Sequence, residues 1–317
     1  MPDFINYSLI MPNYHISFSS HKEVLFRNRD DINSWFNCFC SALCKTDSAC
    51  YTETAMSDHH HSCCRTKAPW EIIRISRDAY SKLFNNKYKR KGPLGERGVF
   101  YDELIGANHT LAAFSYSLRN AQHHGVVGSP FEYPHSSINC YFRKELGKNF
   151  YPPKLLNPAQ IRSVLSPRAE FDPSWKMSEE GVFLRESVVD VAAVEAAYGT
   201  VRAFNYYMSR KSAEEWSREQ EEDDGSMLPI TLNNFERSLY SGDANSFAKM
   251  LRNETSRKSV FNINDLDLCA LIDNTYVPQF DVDSVYQLTL WQKNKIANLL
   301  MNKYHPGYSQ LKRCLAL

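Results

Sequence analysis

Apolar and polar positions alternate in a readable way along the first half of the chain. Residues 12–19, PNYHISFS, alternate with a period of two and predict a strand. Residues 29–43 carry Ile32, Trp35, Phe36 and Phe39 at helical spacing, which predicts a helix with Asp30 or Asp31 as its N-cap. Residues 48–56 and 59–65 predict two strands joined by a short turn at Ser57-Asp58. A second amphipathic helix is expected over 71–87, with Ile72, Ile75, Ala79, Tyr80, Leu83 and Phe84 on its apolar side. Gly92-Pro93 and Gly95 mark a turn. A third helix is expected over about 108–123, capped by Asn108 or Thr110 and followed by Gly125. Strand, helix, two strands, helix, turn, helix is an α+β pattern, an antiparallel sheet flanked by helices.

Beyond residue 150 the pattern changes. Tyr151-Pro152-Pro153 and Asn157-Pro158 read as a linker, followed by helices over 158–165, 186–216, 231–252 and 284–303. The run from Glu214 to Asp224, EEWSREQEEDD, is too charged for a core and reads as a solvated helix end or hinge. The expectation is a domain over 1–150 and a mostly helical region over 151–317. Its end has a long helix, a break at His305-Pro306-Gly307 and a short helix. Two readings stand for residues 284–317. One is a helix-turn-helix with Ser309 to Arg313 on the recognition helix. The other is a packed hairpin with Leu299, Leu300, Leu311 and Leu315 as its core.

Composition narrows the class. With 317 residues, 43% hydrophobic and 23% charged, the chain is long enough for about two folded domains. Its mean hydropathy is −0.47 and no apolar run approaches about 18 residues, so no membrane helix is expected. The N-terminus lacks the features of a signal peptide, which points to the cytoplasm. Six of the nine cysteines fall within residues 38–64, but Cys38/Cys40 and Cys63/Cys64 lack paired C-x2-C spacing. They are expected to be buried thiols rather than disulfides.

The net charge of +1 hides a split. Residues 1–150 hold 18 basic and 14 acidic residues, a balance of +4, and residues 151–317 hold 19 and 22, a balance of −3. The basic residues concentrate in 82–97, KLFNNKYKRKGPLGER, where Lys82, Lys87, Lys89, Arg90, Lys91 and Arg97 face one acid, Glu96. Tyr80, Phe84 and Tyr88 interleave with them. Such a segment is either a solvated loop or a surface for a phosphate backbone with bases stacked on the rings.

Candidate chemistry lies in Asp58-His59-His60-His61. On a strand His59 and His61 project to one face and His60 to the other, so two imidazoles can share a divalent cation. On the third helix, Tyr116 and Asn120 lie one turn apart on one face, with His123 approximately aligned. Taken alone, a histidine pair on a strand or a tyrosine on a helix is more often structural.

The order of these elements resembles a known family. Tyr14-His15-Ile16, Met56 to His61, Tyr80 to Gly92, Tyr116 to Asn120, His123 to Val127 and Tyr133 to Ser137 are similar to the single-tyrosine HUH transposases, in particular the REP-associated tyrosine transposase branch. The resemblance covers roughly residues 12–142. It implies a ferredoxin-like HUH palm, with His59, His61 and Asn120 as ligands of Mg²⁺ or Mn²⁺. The mixed nitrogen and oxygen set suits Mn²⁺ better. It implies that Tyr116 attacks a DNA phosphate to give a 5′-phosphotyrosine link and a free 3′-OH, which preserves the bond energy for strand transfer. It further implies a single-stranded or hairpin DNA partner gripped by the basic segment, and a monomer or homodimer.

Four features depart from the family's pattern. His60 stands where an aliphatic residue is usual, and is expected to be exposed, to satisfy a neighbour, or to compete for the metal. Ser62-Cys63-Cys64 replaces an apolar run, which predicts a less dry sheet face. Asp58 stands for a common Asn, and Ala121 for a frequent Pro. Glu53 and His15 are candidate supporting groups on adjoining strands. Two alternatives stay open: an inactive hairpin-DNA-binding regulator of the same fold, and a zinc protein using His59, His61 and nearby cysteines.

Overall fold

The computed structural model describes residues 11–20, 22–95, 99–148, 153–209 and 263–317. The expected helix over 231–252, the charged run 214–224 and the end of the expected helix 186–216 lie outside them. Four strands form an antiparallel sheet in the order β2-β3-β1-β4: β1 (Asn13–Ser19), β2 (Ala49–Ala55), β3 (His59–Arg65) and β4 (Phe100–Glu103). The α+β class with an antiparallel sheet is therefore the observed one. β3 pairs with both β1 and β2, and β1 with β4. The histidine strand is thus internal, held on both edges by backbone hydrogen bonds. β4, four residues long and half exposed, has too little pattern to be read from sequence.

Three helices complete this unit: α1 (Arg29–Lys45), α2 (Pro69–Tyr88) and α3 (Gly106–His123). The N-cap of α1 is Asn28, two positions before the nearer of its expected caps, Asp30 and Asp31. Asn28 accepts from the Asp31 N–H, and Asp31 instead takes part in the packing. α2 starts at Pro69, a residue suited to the first turn because its missing N–H would be unpaired there. Its buried stripe is Ile72, Ile73, Ser76, Tyr80, Phe84 and Tyr88. Leu83 and Ala79, expected on that side, are exposed. α3 begins at Gly106 without a side-chain cap, so neither Asn108 nor Thr110 fills that role. It packs against β2 and β3 on the face opposite α1 and α2.

The packing does not divide at residue 150. Residues 153–209, with α4 (Pro158–Val164), α5 (Arg185–Val188), α6 (Val191–Tyr198) and α7 (Val201–Ser209), feed Met177, Phe183, Val194, Phe204 and Met208 into the same core as the sheet. The single helix expected over 186–216 is broken at Asp190, which caps α6, and at Gly199, whose φ of +71° suits glycine. A second core belongs to residues 263–317, with α8 (Asp265–Leu271), α9 (Leu290–Tyr304) and α10 (Tyr308–Leu315), and takes Val24 from the β1–α1 connection. Leu300, Leu311 and Leu315 are buried there, as the packed hairpin requires, while Leu299 is half exposed. All nine cysteines are free thiols, and seven are buried.

Candidate active site

Strand alternation places the chemistry. His59 and His61 face α3, together with Ser17 and His15 of β1, because Ser17 pairs with His61 and His15 with Cys63. His60 turns to the other face, edge-on to Trp35 and Phe39 at 5.2 and 5.0 Å between ring centroids. It is fully buried and lies 3.5 Å from Glu53. His60 is therefore neither exposed nor able to compete for a metal. Glu53 shares the His60 face, so it does not support the site as expected. Ser62, Cys63 and Cys64 are fully buried, so the expected wet sheet face is not there.

α3 delivers the other half. Asn120 is fully buried, and its Oδ1 lies 2.7 Å from His59 Nε2. One turn earlier, the half-buried Tyr116 ring stands edge-on to His61, 5.3 Å away at 87°, and to His15, 6.1 Å away. His123 lies 5.9 Å from the Tyr116 ring, and His124 packs 4.9 Å from His59. His59, His61, Asn120 and Tyr116 are thus brought together within one small volume.

The hydrogen bonds orient both candidate ligands. Asp58 Oδ1 accepts from His59 Nδ1 at 2.8 Å, leaving Nε2 toward Asn120. A carboxylate behind a histidine in this way is a common arrangement at metal sites. His61 Nδ1 lies 3.0 Å from His15 Nε2, so His15 takes the supporting position expected of it. His61 Nε2 and Asn120 Nδ2 are buried without a hydrogen-bond partner. An orphaned imidazole nitrogen beside a second imidazole and an amide oxygen is the set that a divalent ion would satisfy. Among the described residues, no group of three or more His, Cys, Asp or Glu is arranged to hold a metal ion. The candidate set is two imidazoles and a carboxamide, whereas burial pushes the Cys63 thiol up and keeps it un-ionised. The zinc alternative has no ligand cluster among the described residues.

Electrostatics follow burial. Burial, then the neighbouring histidines, holds His61 and His124 well below the ordinary imidazole range. Burial lowers His15 to about 3 and His123 to about 4. Burial alone would raise Asp58, but Arg313 and His59 outweigh it and hold the carboxyl well below its usual range. Arg313 comes from α10, and its Nε lies 3.2 Å from Asp58 Oδ2. Its side chain thus turns inward, and Gln310 is buried, so only part of the expected recognition helix faces outward.

The basic segment divides into two groups. Lys87 pairs with Asp31 at 2.7 Å, and Arg90 pairs with Glu23 and donates to the carbonyls of Gly92 and Pro93. These two charges hold the protein together. Lys82, Lys89 and Lys91 are exposed and face solvent, and Arg97 lies outside the described residues. Lys22, Lys89, Arg90, Lys91 and Tyr286 line a cleft of about 540 Å³ that also touches the end of α10.

No family model matches the chain, and no curated protein matches it. A solved structure of a REP-associated tyrosine transposase bound to a REP hairpin aligns with 48% of this chain and 89% of its own, at 10% identity and a TM-score of 0.36. That is a distant structural relationship and fixes neither activity nor site. Among the described residues, no helix is long and apolar enough to cross a membrane.

The structure brings together Tyr116, Asn120, His59 and His61, the four residues that the sequence pattern singled out. That pattern missed Asp58 as a partner of His59, although adjacency was a signal for it. It gave no signal for Arg313, which belongs to a different core.

Proposed function

We propose that the chain binds single-stranded or hairpin DNA and cuts and rejoins it through Tyr116. The observation that carries this reading is the meeting of one helix face with one strand face, Tyr116 against His61 and Asn120 against His59. A Mn²⁺ or Mg²⁺ ion held by His59, His61 and Asn120 would supply positive charge beside the scissile phosphate. Asp58 and His15 each engage the Nδ1 atom of one imidazole, which leaves the Nε2 atoms of His59 and His61 for the ion. The Tyr116 oxygen attacks phosphorus, the bond to the 3′-oxygen breaks, and a 5′-phosphotyrosine forms. The phenolic proton passes to a neutral imidazole of the cluster, and the departing 3′-oxygen takes a proton from water. The adduct keeps the energy of the broken bond, so a 3′-OH attacking the same phosphorus rejoins the strand and releases the phenol.

The test uses full-length protein with hairpin oligonucleotides carrying randomised single-stranded flanks and a 3′ dye. With Mn²⁺, the wild type should acquire the dye covalently, seen on a denaturing gel. Tyr116→Phe should bind the DNA and acquire none, because it lacks the oxygen that forms the covalent link. Dye transfer to the Phe variant would show that another residue is the nucleophile. Tight, salt-sensitive binding by wild type with no dye transfer would favour the inactive regulator.

A further inference from the structure

The turn that launches the histidine strand is held from two directions. From the sheet side, Ser57 O accepts from the Leu25 and Phe26 N–H groups at 2.7 and 3.0 Å, and Asp58 O accepts from Ser20 N–H at 2.8 Å. From the C-terminal unit, Asp265 Oδ2 accepts from Ser57 Oγ at 2.8 Å and from Arg313 Nη2 at 2.9 Å. Arg313 Nε then faces Asp58 Oδ2 at 3.2 Å, and Asp58 Oδ1 accepts from His59 Nδ1. The contacts close a ring that runs from Ser57 through Asp265, Arg313 and Asp58 to His59.

Arg313 is not a loose surface arginine. Leu311, Cys314 and Leu315 seat α10 in the C-terminal core, and Cys314 O accepts from the buried Arg27 at 2.9 Å. Its guanidinium reaches two carboxylates at once, a task that suits a planar fork and not the point charge of a lysine. Without it, Asp58 loses its opposite charge and is free to leave His59.

We propose that Arg313 is a positioning residue for His59: through Asp58 it fixes the imidazole that would hold the divalent ion, so the candidate site is completed by the C-terminal unit. This inference rests on the metal-site reading given under the proposed function. Arg313 is thereby withdrawn from DNA recognition, where its place on a short basic helix would put it. The alternative is that the ion pair only docks α10 on the sheet unit.

The two roles separate in Mn²⁺ affinity. The measurement follows the free Mn²⁺ resonance on titration of DNA-free, full-length wild type, Arg313→Gln, Arg313→Lys, Asp265→Asn and Asp58→Asn, each checked for a cooperative melt. Partners behind a metal ligand typically govern 10–100-fold in affinity. Arg313→Gln and Asp58→Asn should each weaken Mn²⁺ binding by about that factor, and the double variant should be no weaker than either single one. Arg313→Lys and Asp265→Asn should fall between wild type and Arg313→Gln. A folded Arg313→Gln protein binding Mn²⁺ within about twofold of wild type would overturn the positioning role. If Arg313→Gln fails to fold, unchanged affinity in Arg313→Lys and Asp265→Asn overturns it equally. Absence of Mn²⁺ binding by the wild type would overturn the metal-site reading, and with it this inference.

Discussion

His60 illustrates how much one side chain's surroundings decide. It stands between two candidate ligands in the chain, yet the strand turns it into an apolar pocket beside Glu53. Glu53 in turn accepts from Arg185 Nε at 2.7 Å, and the Arg185 guanidinium lies 4.4 Å over the Phe36 ring. Burial alone would raise the Glu53 carboxyl, but Arg185 and His60 outweigh it and lower it. A buried pair broken on one side leaves an uncompensated charge. Glu53→Gln should therefore cost about 3–5 kcal/mol of stability, read from urea unfolding. Because Glu53 lies on the far face from Tyr116, the adduct proposed for Tyr116 should form in this variant as in the wild type at a temperature where it is folded. Loss of adduct from a folded Glu53→Gln protein would tie the two faces together and contradict this separation. Alternation alone foretold that His60 opposes its neighbours, since period two is a property of any strand. What it meets there was not legible, because Trp35 and Phe39 come from α1 and Arg185 from a segment far along the chain.

The elements themselves were the most legible level, for a physical reason. α3 places Tyr116 and Asn120 one turn apart by its own geometry, and β3 places His59 and His61 on one face by its own. Neither needs the rest of the fold. Boundaries and caps needed more. The N-cap of α1 is Asn28, whose role depends on the course of the preceding chain. The basic end of α2 shows the same limit for function. Charge counting treated six residues alike, but Lys87 and Arg90 are bound to Asp31 and Glu23. The exposed lysines are then the ones available to phosphates. Removing one phosphate-neutralising charge from a complex with single-stranded DNA lowers the salt dependence of binding by about 0.7 in log–log slope. Lys82→Ala, Lys89→Ala and Lys91→Ala combined should reduce the slope by about 2 and leave the melting temperature near wild type. Arg90→Ala should instead lower the melting temperature, because it leaves Glu23 without its partner in a mostly buried pair. Fluorescence anisotropy over a salt series, beside thermal melts, checks both, and an unchanged slope in the triple variant would remove this segment from the proposed DNA interface.

At the scale of the whole molecule, the near-neutral charge acquires a structural meaning. Arg27 is fully buried and grips Asp273 through two contacts of 2.8 Å. Arg29 pairs with Glu180, Arg143 with Glu186, Glu53 with Arg185 and Asp58 with Arg313. Opposite charges from the two halves meet in each pair, but three join a first-half base to a second-half acid and two join the reverse, so these pairs tie the halves together without cancelling the charge split between them. Buried histidines add a pH dependence that the charge count does not show. His15 is lowered to about 3, and His123 and His135 to about 4, in each case chiefly by burial. In the unfolded chain these imidazoles take up protons near pH 6.5, while in the folded protein they resist until pH 3–4. The unfolded state binds more protons across that window, so stability is full above about pH 6.5 and falls as the pH drops. Each such histidine removes on the order of 3 kcal/mol by about pH 4. Urea unfolding should show stability level above about pH 7 and already declining between about pH 6.5 and 5, above the range where ordinary carboxylates titrate. Replacing His135 with Gln, which keeps a polar side chain without the titration, should flatten part of that decline. Stability constant down to about pH 5 would mean that these imidazoles reach solvent, and the closed histidine cluster around Tyr116 would have to be redrawn as an open one.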